Sequence, residues 1–132
     1  MDERDESREG ARIDERGLRP PAAYAIREAA ADGVAVVVLE GELDLAAAPL
    51  LRARVDELEA PGLVLDCRRT TFIDSAVLKE LLRARAELAA RDARLVLAGV
   101  PPAIRRLLDL TRTSSLFEDA PDVATALKRL SG

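Results

Sequence analysis

Reactive side chains are scarce in this chain of 132 residues, which contains no histidine. The missing histidine excludes a Ser-His-Asp triad, removes the commonest general base and excludes most zinc sites. A Ser-Lys pair would need a lysine directed at a serine, but Lys79 is expected in solvent, one helical turn after Ser75. The scattered glycines form neither a GxGxxG nor a Walker sequence. We therefore predict that the protein is not an enzyme and binds no cofactor.

The serine of greatest interest lies in the stretch TTFIDSAVLKELL, residues 70–82. Its apolar pair Phe72-Ile73 leads into Asp74-Ser75, and a helical pattern follows at once. Asp and Ser both favour the N-cap position, so a helix start explains the pair without any function. The free N–H groups and the dipole of a helix N-terminus would also hold a phosphate on Ser75, although Asp74 and Asp44 would repel it. Residue chemistry leaves both interpretations open.

Three aspartates, Asp44, Asp66 and Asp74, each follow or end a predicted strand. The carboxyl ends of parallel strands share one edge of a sheet, where sites usually form. A carboxylate cluster there could bind Mg²⁺ and accept a phosphoryl group, as in response-regulator receivers. Receivers also have two adjacent acids after the first strand and a lysine after the fifth, and this chain has neither. We favour a structural role, in which Asp44 and Asp74 cap helices and Asp66 meets a turn, and we predict no metal site.

Alternating strand and helix patterns surround these residues. Strands are predicted near residues 24–27, 34–40, 63–67 and 94–98, with a short edge strand or turn at 116–118. Helices are predicted to start near Asp44, Ser75, Pro102 and Asp122. The helix at 75–91 is expected to bury its apolar stripe, namely Leu78, Leu81, Leu82, Ala86 and Ala89. This alternation predicts an α/β fold with right-handed crossovers and a mixed, largely parallel sheet.

The overall composition limits the domain organisation. Apolar residues make up 48% of the chain, which suits one globular domain with a real core. Residues 1–21 carry dense mixed charge and are predicted to be a disordered tail, with a docking arm as the less favoured alternative. Residues 22–132 are predicted to form a single domain.

Several function classes are disfavoured by charge and residue content. The net charge of -4 and the scarcity of aromatic residues argue against direct nucleic-acid binding. The single Cys67, the charged N-terminus and the lack of a long apolar run predict a cytoplasmic protein that does not bind membranes.

Four segments, taken in order, resemble the motifs of the STAS domain family and specifically those of bacterial anti-sigma factor antagonists. They are LEGELD at 39–44, LD at 65–66, FIDS at 72–75, and PAIRRLLDLT at 102–111 followed by LF at 116–117. The resemblance covers about residues 23–130. It implies a single STAS domain, a small mixed, mostly parallel sheet with about four helices packed mainly on one side.

The resemblance also implies a function. The family's phosphoacceptor is the first serine after the aspartate of the third motif, which is Ser75 here. The unphosphorylated protein would bind an anti-sigma factor serine kinase of the histidine-kinase-like ATPase superfamily and thereby free the sigma factor. Phosphorylation would release the antagonist, and a serine phosphatase would restore it. The expected protein is a monomer or weak homodimer, with partner-binding residues Glu42, Asp44, Asp74, Ala76, Val77 and Lys79.

Two positions depart from the family's third motif. Ala76 stands at its second Ser/Thr, and Val77 stands at its glycine. Because a glycine lets another backbone approach closely, we expect Val77 to add bulk where the kinase would dock. The alternative function is therefore a structural STAS subunit, in a stressosome-like shell or a lipid-transport complex, without a phosphorylation switch.

Overall fold

The computed structural model describes residues 24–31 and 33–131. The tail predicted at residues 1–21 lies outside these described residues. Five strands form one sheet: β1 Tyr24–Ala31, β2 Val34–Leu43, β3 Gly62–Ile73, β4 Arg94–Ala98 and β5 Glu118–Ala120. Four helices are α1 Ala47–Asp56, α2 Ser75–Ala90, α3 Pro102–Leu110 and α4 Val123–Ser131, and a 3₁₀ turn covers Ser114–Leu116. The predicted alternation of strands and helices is confirmed.

The strands lie side by side in chain order, from β1 to β5. β1 runs antiparallel to β2, whereas β2, β3, β4 and β5 pair in parallel. Each parallel pair is joined by one helix, and crossovers of one hand in a sequentially ordered sheet place all three helices on the same face. The helix α4 follows the last strand and is free of this constraint. The mixed, mostly parallel α/β sheet predicted from the sequence is confirmed.

Two apolar cores of unequal size cover the sheet. The larger core joins the sheet to α1, α2 and α3, and includes Leu39, Leu51, Leu65, Leu81 and Leu108. The smaller core joins the opposite face to α4. Three helices therefore cover one face and one helix covers the other, which confirms helix packing mainly on one side. No helix in the described part of the chain is both long and apolar enough to cross a membrane.

Strand β2 extends past residue 40, where the predicted strand ended. Gly41 has a φ of 84°, and the register of β2 against β3 shifts on both sides of it. A positive φ suits glycine, so Gly41 makes an irregularity within the strand instead of ending it. The buried Thr70 hydroxyl donates to the Leu39 carbonyl at 2.8 Å and fixes β3 against this irregular segment. β2 thus reaches Leu43, close to the candidate site.

The predicted buried face of α2 is wrong in part. Leu78 and Leu81 are buried as expected, and Leu82 is half-buried, but Ala86 and Ala89 are exposed. The buried stripe instead contains Val77, Leu78, Leu81, Ala84 and Leu88. Apolar residues surround much of this helix, so the sequence offers two overlapping stripes, and contact with the sheet selects the one with the larger side chains.

Candidate functional site

The ends of β2 and β3 bring two separate motifs together. Leu43 pairs with Ile73 in the last register position of these parallel strands. One residue further on, the Asp74 N–H donates to the Leu43 carbonyl at 3.2 Å. Residues 42–44 therefore lie beside residues 72–75 at the carboxyl edge of the sheet, which is where parallel sheets usually carry their sites.

Asp74 fixes the start of α2. Its backbone is extended, and its Oδ1 accepts the Val77 N–H at 3.0 Å, the bond of an N-cap residue. This confirms the predicted capping role of Asp74. Ser75 consequently becomes the first helical residue, and its side chain is exposed. The N–H groups of Ser75 and Ala76 lie outside the helix's own hydrogen-bond ladder, because the first turn of a helix has no earlier carbonyls to bond.

Asp44 does not cap α1, contrary to the prediction. The N-cap of α1 is Ala46, which has no side-chain cap. Asp44 lies two residues earlier, where its Oδ1 accepts the Ala46 N–H at 3.0 Å and its carbonyl accepts the Ala47 N–H at 2.8 Å. It therefore stabilises the turn that leads into α1. Its side chain stays exposed beside the Ser75 segment.

The residues expected to bind a partner differ in accessibility. Glu42, Asp44 and Lys79 are exposed, and Asp74 and Ala76 are half-buried. Val77 is fully buried in the core against which α2 packs. The expectation that Val77 adds bulk at a docking surface is therefore wrong for its side chain, which faces the sheet. The valine replaces a family glycine without protruding from the surface.

Negative charge prevails around Ser75. Glu42, Asp44 and Asp74 lie on the two adjoining segments, while Lys79 follows Ser75 by four residues and shares its side of the helix. The next cation along α2, Arg83, is already occupied by Glu80, Glu87 and Asp56. The hydrogen bonds from Arg83 to these carboxylates, that to Glu80 foremost, raise its pKa. Between Ser75 and Arg83 on α2, Lys79 is thus the one cation, and it forms no ion pair within the described part of the chain.

Asp66 does not meet a turn, contrary to the prediction, but lies inside β3. Its side chain is buried and accepts from the Arg68 guanidinium at 3.0 and 2.9 Å. Gly99, whose φ is 67°, makes room for Arg68, since a Cβ there would overlap the arginine Cγ. Burial raises the pKa of Asp66, but its hydrogen bonds and charge interaction with Arg68 outweigh burial, so the pKa falls below its ordinary value.

Among the described residues, the three aspartates and Cys67 have structural surroundings. No group of three or more potential metal ligands from His, Cys, Asp and Glu occurs among the described residues. Asp66 lies eight residues before Asp74 and is ion-paired with Arg68, so the three aspartates do not form the receiver-like cluster. Burial, with the Asp66 charge, raises the pKa of the neighbouring Cys67 thiol to about 12, which keeps it protonated and unreactive. What the site presents is an exposed hydroxyl on a fixed helix start.

The sequence analysis missed an apolar groove beside this hydroxyl. The groove has a volume of about 210 Å³ and lies between the end of β3 and α3. Phe72 and Leu110 are the exposed large apolar side chains of its lining, with 49% and 75% of their surface accessible. Alternation along β3 does not indicate this exposure, because Phe72 shares a strand face with the buried Thr70 and yet lies in solvent. The predicted strand also ended at Cys67, before the residues that line the groove.

Comparisons with known proteins agree with this architecture. A family model described as STAS domain matches residues 26–126. The structure is similar to an anti-sigma factor antagonist from Mycobacterium paratuberculosis, with 28% identity and a TM-score of 0.77 over 87% of this chain and 100% of that one. It is similar to the phosphorylated form of the Bacillus cell fate determinant SpoIIAA, with 23% identity and a TM-score of 0.64, over 81% and 98% of the two chains.

A third solved structure belongs to a protein of another kind. The sulfate transporter family protein from Wolinella succinogenes shares 20% identity with this chain, with a TM-score of 0.69 over 77% of this chain and 88% of that one. At this identity, as for SpoIIAA, the similarity concerns the fold alone.

Proposed function

The chain belongs to the STAS domain family, and on this basis we propose that it is an anti-sigma factor antagonist switched by phosphorylation of Ser75. In its unphosphorylated form it binds an anti-sigma factor that is also a serine kinase of the histidine-kinase-like ATPase superfamily, and the sigma factor is released. Phosphorylation of Ser75 ends this binding, and a serine phosphatase restores it. The protein acts in the cytoplasm by binding and carries out no catalysis itself.

The observation that carries the proposal is the placement of Ser75. Its hydroxyl is exposed at the first residue of a 16-residue helix whose start is held by the Asp74 cap. A kinase can reach the hydroxyl without unfolding any element. The similarity to an anti-sigma factor antagonist at 28% identity over the whole of that protein supports the same function.

The surface around Ser75 favours a switch in binding over a change in fold. Phe72 and Leu45, exposed by 49% and 69%, provide apolar contact area on the two segments that meet there. A phosphate adds a charge of about -1.5 to -2. Burying that charge against apolar side chains beside Asp44 and Asp74 is costly unless the partner pairs it. Lys79 and the free helix N–H groups stabilise the phosphate on the isolated protein, so phosphorylation favours the unbound state.

The two departures from the family motif affect this mechanism less than the sequence indicated. Val77 is fully buried, so its side chain leaves the docking surface unchanged. Ala76 removes the family's second hydroxyl, which leaves Ser75 as the single hydroxyl within the Asp74–Val77 segment. One phosphate on one residue is the expected product.

Mass spectrometry after incubation with ATP and the anti-sigma factor kinases of the source organism tests the proposal. We expect a single phosphate on Ser75, and no phosphate on the Ser75→Ala variant. Thr71→Ala is the matched control, since Thr71 is an exposed hydroxyl four residues earlier, and this variant should be phosphorylated like the wild type.

Absence of phosphate on Ser75 with every such kinase would show that the switch does not operate. The structural-subunit alternative makes a different prediction, namely stable assembly with other STAS chains that Ser75→Asp leaves intact. Size-exclusion chromatography with light scattering distinguishes this assembly from a monomer or weak homodimer.

A further inference from the structure

We propose that the apolar groove between β3 and α3 binds a segment of the same chain, residues 13–18, and that this segment covers the surface next to Ser75. The groove is lined by Thr71, Phe72, Ile73, Ala103, Ile104, Arg106, Leu107 and Leu110. Its exposed walls, Phe72 and Leu110, are large apolar side chains in solvent. Its volume of about 210 Å³ is below the range of pockets that take small-molecule ligands, whereas a few side chains of an extended segment suit it.

The point where the described chain begins places the N-terminal segment within reach. Because β1 is antiparallel, its first residue, Tyr24, pairs with Gly41 near the carboxyl end of β2. Gly41 in turn pairs with Thr70, which directly precedes the groove residue Thr71. Two strand spacings separate Tyr24 from Thr70, a distance of about 10 Å. Leu18 precedes Tyr24 by six residues, which can span up to about 20 Å.

The sequence of the segment matches the chemistry of the groove. Ile13 and Leu18 are the two large aliphatic residues among residues 2–23, and they can fill an apolar site. Residues 2–9 hold five acids and two arginines. Arg106 lines the groove and Arg112 follows α3, and neither forms an ion pair within the described part of the chain. An acidic stretch followed by apolar residues therefore suits a groove that has apolar walls and Arg106 in its lining.

The position of the groove gives the contact a consequence. Phe72 lies three residues before Ser75, so a segment bound on Phe72 occupies part of the surface that a partner of Ser75 would use. This consequence rests on the proposed function, whereas the intramolecular contact does not. The segment would act as an internal competitor that a tightly binding partner has to displace.

A single tryptophan reports on the contact, because the wild-type chain has none. We expect the tryptophan of full-length Leu18→Trp to fluoresce at shorter wavelength than after urea unfolding and to resist acrylamide quenching. Adding Leu110→Asp should return its emission and quenching to those of an exposed indole, because it places an acid on the groove wall. Leu116→Asp, at an exposed leucine outside the groove, is the matched control and should leave both unchanged.

Three results of the tryptophan experiment would overturn the proposal: solvent-exposed emission in Leu18→Trp, a shift that Leu110→Asp does not reverse, or a shift that disappears on dilution. The last result would identify a second copy of the chain as the occupant. A second test uses the segment without a tryptophan. It compares the backbone amide NMR spectra of the wild type and Leu18→Asp. Chemical-shift changes at Phe72, Leu107 and Leu110 support the contact, and unchanged groove amides contradict it. None of these measurements uses a kinase, so their failure is separable from failure of the switch.

Discussion

Residues 62–67 and residues 68–73 belong to the same strand, β3, but have different surroundings. The first half is buried throughout and pairs with β2 on one side and β4 on the other. The second half extends beyond the end of β4 and, among the described residues, pairs only with β2; Thr70 and Ile73 are buried and its other residues are exposed. The first half anchors the sheet, and the second carries the chain out to Asp74 and Ser75. A modification at the tip can therefore change the surface while the core stays intact.

Truncating one large side chain in each half should give the largest contrast. Leu65 has no accessible surface, so Leu65→Ala should lower the free energy of unfolding by about 2–5 kcal/mol. Phe72 is 49% exposed, and Phe72→Ala should cost only about 1 kcal/mol. Urea denaturation measures both values. Equal losses would show that the two halves are equally part of the core.

Asp66→Asn tests the ion pair near the middle of β3. The substitution removes the charge-assisted hydrogen bonds that Arg68 donates to Asp66, and it should lower the free energy of unfolding by about 1–2 kcal/mol at pH 7. The loss is small for a buried carboxylate because the Arg68 side chain is 61% exposed and water screens its charge. The pKa of Asp66 is lower in the folded state than its ordinary value of 3.8. The ionised side chain therefore stabilises the fold fully at a pH above 3.8, and this stabilisation is lost as the pH falls through the pKa of the folded state.

The pH series provides the control for that prediction. Urea unfolding of wild type and Asp66→Asn between pH 3 and pH 7 should give a difference that is constant near neutrality and shrinks below pH 4. A difference that stays constant down to pH 3 would mean that the Asp66 charge does not contribute.

Asp74→Ala should cost less stability than Leu65→Ala or Asp66→Asn, yet it lies closest to the site. Loss of the bond to the Val77 N–H should cost about 1 kcal/mol, the usual value of an N-cap. Asp44→Ala is the matched control, because Asp44 lies in a turn and does not cap a helix, and it should cost less. Thermal unfolding of both variants compares them, and a larger loss for Asp44→Ala would contradict this assignment of the cap.

Much of the architecture could be predicted from the sequence, because strand and helix periods alternate cleanly. Strand β4 was placed at its observed bounds, and the starts of α2 and α3 were placed correctly. The second half of β3 was missed because Arg68, Arg69, Thr70 and Thr71 are polar, and burial along this half does not alternate. The bond from Thr70 to Leu39 joins residues 31 positions apart, and no local pattern indicates it.

The candidate site was predictable to a different degree at each residue. The Asp74 cap follows from local chemistry, and the structure bears it out. The burial of Val77 does not follow from local chemistry, because α2 carries two overlapping apolar stripes and either of them could face the sheet. The pairing of Asp66 with Arg68 could have been found, because residues two apart in a strand share a face. The groove could not be predicted, because it forms only when α3 packs beside β3, and these two elements are distant in the sequence. The role of Ser75 as a phosphoacceptor is still a prediction.

A pull-down with the anti-sigma factor kinases of the source organism tests the central claim most directly. Wild type and Ser75→Ala should capture the kinase, whereas Ser75→Asp should bind it about tenfold more weakly, a loss of about 1.4 kcal/mol. The urea midpoints of all three proteins should agree, because Ser75 is exposed and outside the core. Equal capture by Ser75→Asp and wild type, with both folded, would contradict the claim that charge on Ser75 controls partner binding.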